Sequence, residues 1–170
     1  DAAKQFPQWK WIPLLNLSTL SHEAFHLYVQ FPGTGSLPMR DFTMARDEIF
    51  KSCYPQAIFQ TERDALLRAF TISRSNADAG EVRQAAKDYV TARQDRYRQL
   101  SAVRIVSHGK VGDCELAEAN LEALEGMAEY VGESTHLDQG LMSDADLVDY
   151  FAPDDTQPFY RTGLFALLIL

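Results

Sequence analysis

Two histidines and a glutamate in the stretch Ser21-His22-Glu23-Ala24-Phe25-His26 have the side-chain types and the spacing that chemistry requires. On a helix, His22 and His26 are one turn apart and project from one face, so two imidazoles can reach one ion. Glu23 sits about 100° round the helix from His22, close enough to touch a water on that ion without ligating it. From Trp11 to Met39 these three are the only acidic or basic side chains. An ionised carboxylate in such apolar company is costly unless it is paired or near a metal, which predicts a shielded metal-binding helix. The blander alternative is a pair of satisfied core histidines with a buried Glu23 paired to an Arg.

The pattern is H-E-x-x-H, the zinc-hydrolase arrangement in which two imidazoles hold the ion and the intervening Glu serves as general base. A catalytic zinc takes three protein ligands and keeps a fourth position for water. The third ligand must come from elsewhere, and the candidates are Glu125, Glu122, Glu129, Glu62, His108, His136 and Asp138. Gly126 inside a helix costs about 1 kcal/mol relative to Ala, which implies close packing against another backbone there. That singles out its neighbour Glu125.

The elements that must position these groups read as helices. Residues 1 to 15, with Pro7 and Pro13, suit an extended approach. Asn16 or Ser18 then caps a helix to about Gln30, followed by a Pro- and Gly-rich loop over 31–38. A short amphipathic piece is expected around Thr43 to Ser52. Pro55 opens a helix to about Ile72 that carries Glu62 on its inward stripe with Ile58, Ala65 and Ala69. After a turn at Asn76, Asp78 and Gly80, residues 81–100 form the longest helix, with Val82, Ala86, Tyr89, Arg93, Tyr97 and Leu100 on one stripe. Arg93 is the expected partner of Glu62. Val103 to Gly112 reads as a short strand and a turn at His108-Gly109-Lys110. Asp113 caps a helix over 114–131, where Glu118, Glu122, Glu125 and Glu129 share a stripe whose default reading is a solvated acidic face. Ser143 and Asp146 form a capping box for a helix ending near Phe151, and Pro158 starts the last helix.

The whole is a mainly α chain with little or no β, of a length that suits one domain with a real core. Its net charge of −8 and isoelectric point near 4.9 argue against nucleic acid, whose backbone calls for clustered Lys and Arg. No segment is long and apolar enough to span a membrane. Cys53 and Cys114 either form one disulfide or remain two core thiols, and neither has the C-x-x-C spacing of a metal or redox site. The start at Asp1 without Met, together with a disulfide, leans towards a secreted or periplasmic protein. Leu164 to Leu170 stops in mid-helix without a cap, which predicts that the natural chain continues.

Three motifs together resemble the gluzincin metallopeptidases, specifically the aminopeptidase N and thermolysin-like group and its bacterial relatives. They are His-Glu-Ala-Phe-His at 22–26, Glu-Gly-Met-Ala-Glu-Tyr at 125–130 and Tyr-Arg-Thr-Gly-Leu-Phe-Ala-Leu-Leu at 160–168. The resemblance implies a helical zincin-like domain in which His22, His26 and Glu125 bind zinc, Glu23 is the general base and Tyr160 stabilises the oxyanion. It implies a peptide or protein substrate. The chain departs from the family in two places. In the family the ligand Glu follows on the next helix, whereas here 98 residues separate His26 from Glu125, so an inserted helical pair must fold away and return the chain. There is also no Gly-Ala-Met-Glu-Asn segment upstream to grip a free amino terminus, so aminopeptidase specificity is not implied. The reading that competes with a peptidase is a non-enzymatic α-helical binding module with a structural or vestigial metal site.

Overall fold

The computed structural model describes residues 12–30, 49, 51–107, 110–151 and 158–169. It is mainly α-helical, with seven helices and one two-stranded hairpin among those residues. Helix α1, Ile12–Phe25, runs on as a π-helical turn, His26–Gln30. The chain is thus already helical at Ile12, earlier than the expected extended approach allows. Pro13 is tolerated because a first turn has no use for its missing N–H. Ser18 therefore lies inside the helix and is not its cap. Its side chain faces another helix.

Helix α2, Gln56–Ser73, and helix α3, Ala79–Gln99, form an antiparallel pair. Asp78 caps α3 through the amides of Gly80 and Glu81, and the Glu81 side chain returns the bond to Asp78 N–H. Strands β1, Ile105–Ser107, and β2, Lys110–Gly112, pair as a hairpin with Val106 opposite Val111, so a second strand follows the one expected from Val103 onward and begins at Lys110, which the sequence places in the turn. Asp113 caps helix α4, Cys114–Leu121, by accepting from Leu116 N–H at 2.9 Å. The expected single helix over 114–131 is longer and interrupted. It passes through a π segment, Glu122–Gly126, into helix α5, Met127–Asp138. Helix α6, Asp144–Phe151, has the reciprocal Ser143–Asp146 capping box, and helix α7, Pro158–Ile169, begins at Pro158. The Pro-Gly loop and nearly all of the amphipathic piece before Ser52 lie outside the described residues.

Two apolar cores support this frame. One gathers Ile49, Tyr54, Phe59, Leu100, Ile105 and Leu121 around Cys53 and Cys114, which are bonded to each other. The bridge closes a separation of 61 residues and stabilises the fold by about 4 kcal/mol on the chain-entropy account. The other joins Leu66, Phe70, Tyr89, Leu147, Leu164 and Phe165, and ties α7 to α2 and α3.

Between the cores lies a buried ionic cluster. Arg96 donates from Nε to Glu62 at 2.5 Å, from both terminal nitrogens to Glu118 at 2.5 Å, and to the Cys53 carbonyl at 2.7 Å. Tyr54 and Tyr97 lie against its guanidinium plane. Glu62 thus pairs with Arg96, not with the expected Arg93, which is three residues earlier on α3 and bonds Glu122. The buried stripe of α3 runs through Ala85, Tyr89, Arg96 and Leu100, so the face centred on Arg93 is rotated from the one that packs.

Candidate metal centre

Helices α1 and α5 lie antiparallel, and their facing side chains form a polar seam. Beginning with the residue before His22 by one turn, Ser18 donates to Glu133 Oε1 at 2.8 Å. His22 Nδ1 lies 3.1 Å from Glu129, and His22 Nε2 lies 3.2 Å from Glu125 Oε2. His26 Nε2 is 3.3 Å from the same oxygen and 3.0 Å from His22 Nε2. The register is set by close backbone approach. A Cβ on Gly132 would stand 2.8 Å from Ser18 Oγ and 3.1 Å from its carbonyl oxygen.

The π segment brings in the third group. A Cβ on Gly126 would lie 2.6 Å from Gly163 Cα, so only two glycines allow α7 to cross at that level. This is the close packing that the sequence places at Gly126. Thr162, beside Gly163, donates to Glu122, which also receives Arg93. Glu125 is thereby held next to an anchored crossing. π segments of this kind recur at functional sites because the wider turn re-aims side chains.

The resulting geometry is a triangle of two imidazole nitrogens and one carboxylate oxygen, with edges of 3.0, 3.2 and 3.3 Å. Metal–nitrogen and metal–oxygen bonds of about 2.0–2.2 Å in a tetrahedron set neighbouring ligand atoms roughly 3.3–3.6 Å apart. The observed edges lie within a few tenths of that range, and the donor set suits zinc. His22, His26 and Glu125 are 6 %, 1 % and 5 % exposed, so the ligand atoms are shielded from water. Among the described residues they are the one group whose donor atoms could share an ion.

Partners on the far side of each imidazole complete the site. Burial alone would lower the pKa of His22, but the hydrogen bonds that its protonated ring donates to Glu125 and Glu129, with their negative charge, outweigh it and push the pKa up to about 9. Without a metal, therefore, a proton sits among these carboxylates at neutral pH. His26 Nδ1 meets Gln30 Oε1 at 2.5 Å. Outer partners of this type fix ring orientation in metal sites.

The remaining sequence candidates fall elsewhere. Glu129 is an outer partner of His22, Glu122 is bound to Arg93 and Thr162, and Glu62 belongs to Arg96. His136 is buried at the far end of the seam, where its Nδ1 lies 3.2 Å from Glu133. Asp138 is exposed, and His108 lies outside the described residues. Tyr160 belongs to the first turn of α7, with its side chain outside the described residues.

Two expectations are corrected. Glu23 is exposed, not buried, because the buried residues described on α1 and its π turn are Ser18, His22 and His26, and Glu23 lies a quarter-turn away from that stripe. The costly carboxylate is thus solvated, and no Arg is needed to excuse it. The glutamate stripe is not a solvated face either. Glu118, Glu125 and Glu133 are buried, and each carboxylate on the stripe has a partner across a helix interface. Sequence reasoning missed Glu133 and Gln30, although Glu133 continues the four-residue spacing from Glu129 and Gln30 stands one turn after His26.

No family model, curated protein or solved structure matches the chain.

Proposed function

We propose that the chain is a zinc-dependent peptidase of the gluzincin type, with His22, His26 and Glu125 as ligands. The observation that carries the reading is the triangle of donor atoms with edges of 3.0–3.3 Å, assembled from residues a hundred positions apart. A zinc ion there supplies a bound water that ionises near neutral pH and a Lewis acid for the scissile carbonyl. The chain's own residues do the rest. Glu23, exposed beside the buried His22, takes the proton from the attacking water and passes it to the leaving amine nitrogen. Glu129 and Gln30 hold the two rings in place. Tyr160 is assigned the oxyanion on the strength of its motif.

A catalytic zinc takes three protein ligands and a water, and His22, His26 and Glu125 offer the three. Glu62, one residue that could have closed the site as a fourth ligand, is held by Arg96. The test is Glu23→Gln. We expect one zinc per chain by mass spectrometry in wild type and variant alike, and hydrolysis of a peptide library reduced about 10²–10⁴-fold in the variant. Unchanged turnover would end the peptidase mechanism. Absence of metal from the wild type, even after incubation with zinc, would favour the non-enzymatic helical module.

A further inference from the structure

We propose that Gln30 is a positioning residue that holds two of the three ligands at once, fixing the ring of His26 through its amide oxygen and the strand of backbone before Glu125 through its amide nitrogen. The inference rests on the zinc reading above. The orientation of the amide follows from its surroundings. Gln30 Nε2 donates to the carbonyl oxygens of Ala123, at 3.2 Å, and Leu124, at 3.0 Å. These use both of its N–H groups, and a flipped amide would set an oxygen against two oxygens. Oε1 is therefore the atom 2.5 Å from His26 Nδ1.

An amide oxygen only accepts, so Nδ1 of His26 carries a hydrogen, and in the neutral ring a metal requires Nε2 is the nitrogen with the lone pair. The carbonyls that Gln30 grips belong to the π segment Glu122–Gly126, immediately before Glu125. Gln30 itself ends the π turn His26–Gln30, so one π turn is latched to another by one side chain. The two histidines are consequently unequal. His22 has a carboxylate behind it and His26 a neutral amide, so a change at residue 30 acts on the ligand with the weaker support.

The test measures zinc affinity by chelator competition in wild type, Gln30→Leu and Gln30→Glu. Gln30→Leu removes acceptor and donors, whereas Gln30→Glu keeps only the acceptor. We expect Gln30→Leu to bind zinc 10–100-fold more weakly and Gln30→Glu, which keeps the acceptor for His26 but loses the grip on the two carbonyls, to fall between that value and wild type. Gln30→Leu within threefold of wild type would overturn the inference. So would a loss in Gln30→Glu as large as that in Gln30→Leu, because the side chain would then merely cap the two carbonyls. A wild type without zinc affinity overturns the metal reading and this inference together, while tight wild-type binding with unaffected variants overturns the inference alone.

Discussion

One rod of helix, from Cys114 to Asp138, offers its glutamates to two different environments. In its first part, Glu118 and Glu122 meet Arg96 and Arg93, whose guanidinium groups stay protonated at any working pH. In its second part, the described partners of Glu125, Glu129 and Glu133 are His22, His26, His136 and Ser18. Imidazole carries charge conditionally, and a hydroxyl carries none. The first region is closed on itself and serves as scaffold. In the second, a proton or a metal ion can supply the positive charge, and exchange of one for the other is what a functional site needs.

The contrast can be broken most severely at Arg96. Arg96→Met leaves Glu62 and Glu118 buried without their guanidinium, and urea unfolding should show a loss of about 3–5 kcal/mol. Zinc bound per folded chain should stay at the wild-type value. A parallel fall in zinc content would mean that the two regions are one unit. A smaller effect is expected at the crossing that separates them. Gly163→Ala places a Cβ 2.7 Å from Gly126 Cα, and should cost about 1–3 kcal/mol in thermal unfolding while also weakening zinc, because Glu125 adjoins the displaced glycine. Normal zinc affinity in that variant would detach Glu125 from the crossing.

The smallest effect sharpens the comparison through pH. The His22 pKa, raised from 6.5 to about 9, means that its proton stabilises the metal-free fold fully below about pH 6.5 and loses that effect as pH climbs through 9. Zinc affinity should move the opposite way and rise across the same window. Calorimetric titration near pH 7.5 in buffers of different ionisation heat should report between about one and two protons released per zinc bound, one from His22 and part of one from the zinc-bound water. Release clearly below one proton would show His22 to be neutral before the metal arrives.

Sequence spacing fixes which side chains share a face of one helix, and His22, His26 and the glutamate stripe were legible for that reason. What it leaves open is the angle and register at which two faces meet. Those depend here on Gly132 against Ser18 and Gly126 against Gly163, contacts between residues far apart in the chain. The sequence reads Glu23 as buried because most of the residues around it are apolar. Leu20, Tyr28 and Val29 are in fact 67 %, 74 % and 61 % exposed, so an apolar sequence context did not mean a buried one. The same limit explains Arg93 and Arg96. Both lie near the inward face of α3, and only the pairing of α3 with α2 and α4 decides which of them reaches Glu62.

The bridge between Cys53 and Cys114 changes the length of tether between the proposed ligands His26 and Glu125. Counted along the backbone, Glu125 is 99 residues from His26. Counted through the sulfurs, the path is 27 residues to Cys53 and 11 from Cys114, or 38. Helices α2 and α3 and the hairpin become a closed ring hanging from that shorter path. Since the entropy of joining two ends grows only with the logarithm of contour length, the shortcut makes closure of the site easier by roughly 0.9 kcal/mol. For the polymer, the long excursion between His26 and Glu125 counts for little more than its two stems.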